Sequence, residues 1–183
     1  MKTLIVYYSY TNNNEALANV IREKLKCDIL KIEEVKKRNG FTIALDLLFN
    51  RTPKIKASSS DVALYNQYVF IAPIWAGKIA SPMRSFFIRD RFYISNYSFI
   101  TLCGGQPGQK EKLVTSLTRL LGHEPGIVQE LQINDLLPED KRNTVKYTSG
   151  YRVQPGDMQK FNPAIDDFLN SVEALYELKR MTL

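Results

Sequence analysis

Leu4-Ile5-Val6-Tyr7-Tyr8, then Ser9-Tyr10-Thr11-Asn12-Asn13-Asn14, then Glu15 to Leu25 is the stretch whose reading decides the fold. The first five residues are an unbroken apolar run, as in a strand buried on both faces. The last eleven carry Leu17, Val20, Ile21 and Leu25 at helical spacing, with charges between them. A buried strand, a short polar loop and an amphipathic helix make the opening of a parallel βα unit.

The same alternation continues along the chain. Asp28 to Ile32, Tyr68 to Pro73, Tyr97 to Cys103 and Ile127 to Ile133 read as four more strands. Helices are expected over Ser81 to Arg91 and around Leu113, Val114, Leu117, Leu120 and Leu121, the latter stopped by Gly122. A last helix carries Ile165, Phe168, Leu169, Val172, Leu175 and Tyr176 on one stripe, with Asn162-Pro163 as its cap and first turn. The pattern predicts one α/β domain over residues 1–183, a doubly wound five-stranded parallel sheet in the order 2-1-3-4-5. Two segments lie outside that plan. Gly40 to Lys56 contains the apolar run Phe41 to Phe49, expected as an inserted helix, and Asn134 to Asp157 is a long polar connection.

Composition narrows the function. Hydrophobic residues make up 44% and charged residues 24% of 183, which is ordinary globular usage. A net charge of +6 admits an anionic cofactor or an acidic partner. Cys27 and Cys103 are far apart and lack metal spacing, so they read as reduced thiols. The single histidine, His123, sits in a Gly-His-Glu-Pro turn, and no metal site is expected. No run approaches the roughly 18 apolar residues of a membrane span, and the first strand is too short for a signal-peptide core. A cytoplasmic protein is expected. The basic residues are dispersed without a recognised motif, so no nucleic-acid partner is expected.

In an open parallel sheet, ligands bind beyond the carboxyl ends of the strands, where strand order reverses. Here that point falls between the first and third strands. The loop Ser9 to Asn14 leads into a helix N-terminus, where free N–H groups favour an anion. It lacks the GxxxxGK[ST] and GxGxxG patterns of nucleotide loops, and read alone it is equally a polar turn with an Asn cap. Pro73-Ile74-Trp75-Ala76-Gly77-Lys78 puts the one tryptophan at the mouth of the sheet, to stack on a planar ring or to pack beneath a neighbouring loop. Cys103-Gly104-Gly105 lets backbone approach a ligand closely.

Together these loops resemble the flavodoxin-like family of FMN proteins. Ser9, Thr11 and Asn13 match that family's phosphate loop, Ser/Thr-x-Thr-Gly-Asn-Thr, while Asn12 replaces its Gly and Asn14 its last Thr. Pro73-x-Trp75-x-Gly77, followed by Pro82, Arg84 and Phe86, is similar to the second flavin loop of the quinone-reductase and carrier branches. The resemblance implies FMN, with Ser9, Thr11, Asn12, Asn13 and Asn14 around its phosphate. It implies Pro73, Ile74, Trp75, Ala76, Gly77 and Lys78 along the isoalloxazine, and Cys103, Gly104 and Gly105 at its pyrimidine side.

Two activities follow from the resemblance. One is an oxidoreductase passing electrons from NAD(P)H to a quinone-like acceptor; the alternative is a non-enzymatic carrier between redox protein partners. Lys78, Arg84, Arg89, Arg91, Lys110 and Lys112, and the lack of an aromatic after Gly105, favour the first. Tyr147 or Tyr151 folding over the ring would restore the second. No general acid or base stands out, so no catalytic residue is named. The Phe41 to Phe49 helix is expected to pack over the flavin site or to form a homodimer contact.

Overall fold

Alternate residues of the first strand feed opposite sides of one sheet. In chain order the elements are β1 (Thr3–Tyr7), α1 (Asn13–Leu25), β2 (Asp28–Lys31), α2 (Gly40–Phe49), β3 (Gln67–Ile71), β4 (Ile74–Trp75) and β5 (Lys78–Ile79), then α3 (Ser81–Asp90), β6 (Tyr97–Cys103), α4 (Gln109–Leu121), β7 (Val128–Gln132), α5 (Val145–Gly150) and α6 (Asn162–Met181). This is a computed structural model, and it describes residues 2–58 and 61–181. The main sheet has the order β2-β1-β3-β6-β7, with every pairing parallel. That is the expected 2-1-3-4-5 order, because β4 and β5 form a separate antiparallel hairpin after the third strand.

Every residue of β1, β3 and β6 is buried, which explains their continuous apolar runs. Leu4 and Val6 join Tyr68, Phe70 and Phe99 on one face, against Met83, Phe86 and Phe87 of α3 and Leu113 and Leu117 of α4. Ile5 and Tyr7 join Val69, Ile71 and Ile100 on the other, against Leu17 and Ile21 of α1 and Ile165, Phe168 and Val172 of α6. Each fully buried side chain of this kind contributes roughly 1.5–3 kcal/mol. Phe70 is the hub of the first face, its ring 4.7 Å from Phe87 and 6.0 Å from Phe86, both edge-on.

Two expectations change in detail. Asn162 has helical dihedrals (φ −49°, ψ −47°) and follows directly from a 3₁₀ turn over Asp157–Phe161, so it is the first helical residue instead of an extended cap. The 134–157 connection is not structureless: it holds 3₁₀ turns over Ile133–Leu136 and Glu139–Lys141 and the short α5.

The inserted helix forms, but it is seated by polar contacts. The insertion leaves the end of β2 and returns alongside it, with the Val35 N–H on the Lys54 carbonyl at 3.1 Å and the Lys56 N–H on the Glu33 carbonyl at 2.8 Å. One stripe of α3 then holds it. Ser81 donates to Asp46 (3.0 Å), Arg84 to the Asn50 side chain and the Arg51 carbonyl, Ser85 to the Pro53 carbonyl (2.7 Å), and Arg89 to the Lys56 carbonyl (3.0 Å). No helix among the described residues is long and apolar enough to cross a membrane.

Candidate functional site

The loops after β1, β3 and β6 meet at the carboxyl edge of the sheet, where β1, β3 and β6 are consecutive neighbours. Asn14 fixes the first loop to the third. Its side-chain N–H donates to the Leu102 carbonyl at 3.0 Å and its Oδ1 accepts the Leu102 N–H at 2.9 Å, so one buried amide completes the end of β6. Asn13 does the same for the connection before α6, donating to the Tyr151 carbonyl and accepting the Val153 N–H, each at 3.0 Å. Their side chains are therefore framework. What these residues can offer a ligand is backbone N–H.

Asn12 takes the left-handed conformation (φ 66°, ψ −3°), the region that the family's glycine reaches most easily, and Asn is the side chain best suited to it. It is the residue before α1, and its side chain makes no capping bond to the first-turn amides. The first intrahelical bond runs from the Ala16 N–H to the Asn12 carbonyl at 2.9 Å, so the preceding amides point out of the helix end. Beside them the Ser9 hydroxyl is buried and has no hydrogen-bond partner among the described residues. A buried unpaired hydroxyl next to uncapped helix amides suits an anionic oxygen. The acid of the first turn does not oppose this: Glu15 accepts from Lys31 at 2.8 Å and from Tyr7 at 2.8 Å. Burial works against its charge, but those bonds and the Lys31 ammonium prevail and hold its carboxyl below the ordinary value.

The second loop is the β4–β5 hairpin, with Ile74 opposite Ile79, Trp75 opposite Lys78, and the Ala80 N–H on the Pro73 carbonyl at 3.1 Å. Its central residues Ala76 and Gly77 both have positive φ, 47° and 74°, as a two-residue hairpin turn requires. Trp75 stands edge-on between Tyr8 and Tyr10, with ring centroids at 5.9 and 6.1 Å, so it joins the first loop to the second. Arg38 lies 5.9 Å from the same ring. Its guanidinium is buried in ion pairs to Glu34 (2.5 Å) and Asp46 (2.6 Å); burial opposes the charge, yet these carboxylates raise its pKa. Lys78 turns away from the loops and donates to the Leu47 carbonyl of α2 at 3.0 Å.

In the third loop, Gly105 has φ +76°, and a Cβ there would lie 2.7 Å from the Gln132 side chain. A Cβ on Gly104 would meet Thr148 Oγ1 at 3.3 Å, which brings α5 against this loop. Asn134 donates to the Gly104 carbonyl at 2.9 Å. The Cys103 thiol points into a buried cluster with Gln109, which donates to it at 3.2 Å and also to Glu130. Burial pushes this thiol up to about 11. Burial first, and then Glu15 and Glu34, raise the phenols of Tyr7 and Tyr8. In each case burial favours the protonated form.

Sequence reasoning missed the Arg38–Glu34–Asp46–Ser81 cluster beside Trp75. Its signal was Asp46, the one charge within the apolar run 41–49. A cavity of about 280 Å³ lies elsewhere, between the end of β2, residues 55–58 and α3, lined by Leu30, Ile55 and Phe86. It is walled by the insertion and does not touch the three loops.

No protein-family model matches the sequence, and no curated protein matches it. Solved structures do. A flavoprotein from Lactobacillus acidophilus NCFM in complex with FMN superposes with a TM-score of 0.62 at 20% identity, over 70% of this chain and 92% of that one. This is the flavodoxin-like fold. A putative flavoprotein from Bacteroides eggerthii is similar at TM-score 0.61 and 15% identity, over 72% and 87% of the two chains. General stress protein 14 from Treponema denticola, in complex with FMN, matches over 96% of this chain and 99% of its own, at TM-score 0.52 and 12% identity. Within the flavodoxin-like fold, the three loops described above occupy the carboxyl edge of the first, third and fourth strands of the main sheet.

Proposed function

We propose that the protein binds FMN at these loops and acts as an oxidoreductase passing electrons from NAD(P)H to a quinone-like acceptor. The observation that carries the cofactor is the unpaired, buried Ser9 hydroxyl beside the uncapped N-terminus of α1. Ser9, Thr11 and the backbone N–H groups of Asn12, Asn13 and Asn14 would hold the phosphate. Trp75 and the hairpin would border the ring, and Gly104 and Gly105 would offer backbone to its polar edge. Two proteins of the same fold carry FMN in their own structures. Bound FMN supplies hydride and electron transfer, while the chain binds, orients and shields it.

The carrier reading keeps one observation in its favour. Tyr147 is half-exposed on α5, next to the Thr148 that lies against Gly104, which is where an aromatic would cover the ring. Tyr151 is less suited, since its hydroxyl is bonded to Asp157 at 2.8 Å. The charge argument for a reductase is reduced as well, because Lys78, Arg84 and Arg89 hold carbonyls of the insertion.

The test begins with a visible spectrum of protein mixed with FMN and then desalted. Flavin bands should be retained, and Ser9→Ala/Thr11→Ala should weaken FMN at least about tenfold, the loss of a charge-assisted bond or two, with unchanged melting. These residues are chosen over Asn13 because they leave the framework intact. A colourless protein rejects FMN. Retained flavin without NADH or NADPH oxidation in the presence of a soluble quinone rejects the reductase and leaves the carrier.

A further inference from the structure

We propose that α2 is an interfacial helix that seats this protein on an anionic membrane surface. The inference stands apart from the FMN reading. It starts from an inversion: in a surface helix of a soluble protein the apolar stripe faces the core, whereas the most buried residue of α2 is Asp46, with Ile43 and Leu47 only half-buried beside it. Asp46 is drawn inward by Arg38 and Ser81, and Leu47 by the Lys78 ammonium on its carbonyl. The opposite side, Phe41, Ala44 and Leu48, with Phe49 beside it, is turned out. Phe41 is 72%, Leu48 75% and Phe49 59% exposed. The helix is well formed at its N-terminus, where Asn39 and Thr42 make a reciprocal capping box. It is a built element that displays its apolar side.

The charge around it selects the occupant. From Val35 to Ser58 the sequence has no acid other than the buried Asp46. Lys36 and Lys37 before the helix and Arg51 and Lys54 after it are all exposed. The Arg51 guanidinium lies 5.1 Å from the Phe49 ring, cation and apolar surface side by side. A second copy of this chain, docked by the same face, would set these cations against themselves, since a two-fold contact pairs a patch with its own image. An anionic lipid surface complements both parts, with headgroups taking the lysines and arginines and the acyl boundary taking the Phe and Leu side chains.

Flotation with vesicles tests this, comparing pure phosphatidylcholine with equimolar phosphatidylcholine and phosphatidylglycerol. The intact protein should float with the anionic vesicles, not with the neutral ones, and less as salt rises. Phe41→Ser/Leu48→Ser should lower the bound fraction at least about tenfold, as expected for two apolar side chains kept from the interface. Its melting should be unchanged, because both residues are exposed. Lys36→Glu/Lys37→Glu should lower it as well, and serves as a second variant whose changes lie outside the helix. No flotation with either vesicle overturns the proposal. So does flotation that the Phe41/Leu48 variant retains in full, which would be adsorption by charge alone. A dimer in sedimentation that the same variant converts to monomer, without vesicle binding, would assign the face to a second copy instead. Loss of flavin in the spectral test above would leave the flotation result untouched.

Discussion

Ala76 holds a backbone conformation that its side chain disfavours. With φ 47° it occupies the first central position of the β4–β5 turn, and Gly77 at 74° occupies the second. A left-handed alanine costs roughly 1–2 kcal/mol, and Asn-Gly is the pair that such turns prefer. Ala76 is exposed, so nothing is packed against its methyl group that a larger residue would displace. Ala76→Asn should therefore raise the unfolding free energy by about 0.5–1 kcal/mol, read as a higher urea midpoint at unchanged slope; a lower midpoint would refute this account. The same residue logic made Asn12 legible in the sequence, because tolerance of positive φ belongs to the residue itself. The roles of Asn13 and Asn14 were not legible. Their partners are Tyr151 and Leu102, 138 and 88 positions away, and only the closed sheet brings them within reach.

Between elements, Glu15 is the clamp that joins the end of β1, the first turn of α1 and the end of β2, through Tyr7 and Lys31. Its carboxyl is held below the ordinary 4.5, burial being outweighed by those bonds. A depressed folded-state value means that the contribution is present above the ordinary carboxylate range and is lost as pH falls through the folded value. Glu15→Gln should thus be less stable than the parent by a constant margin above that range, and the margin should close below it. Urea midpoints across an acid series read this, and a margin that persisted in acid would assign Glu15 a packing role instead. Helix existence was readable at this scale, since Phe41 to Phe49 has the length and composition of one. Which side faces inward was not. Hydrophobic periodicity assumes that the apolar side goes in, and here Arg38 and the polar stripe Ser81, Arg84, Ser85 on α3 reverse it.

For the molecule as a whole, the doubly wound sheet was legible because β1, β3 and β6 are buried on both faces and leave unbroken apolar runs in the sequence. The site was legible as three loops, since strand ends fix where loops can meet; its stitching came from long-range polar pairs that no window reveals. The insertion adds to this sheet without completing it, and that predicts how it can be removed. Val35 and Lys54 already face each other as the flanking pair of an antiparallel turn, with the Val35 N–H on the Lys54 carbonyl. Replacing residues 36–53 by Asn-Gly would close that pair as a two-residue hairpin. The excision takes Arg38 and Asp46 together, which avoids the cost of about 3–5 kcal/mol of stranding Asp46 without its partner, and it leaves Glu34 without its cation. Glu34 keeps the Tyr8 hydroxyl at 2.9 Å. The shortened chain should unfold in one cooperative transition and bind FMN within about threefold of the full chain, under 1 kcal/mol. Emission from its single tryptophan should move to the red as Trp75 loses Arg38 and gains water, and the chain should no longer float with anionic vesicles. An unfolded product would mean that the insertion is part of the core that supports the site, and would withdraw the view of α2 as an appended docking element.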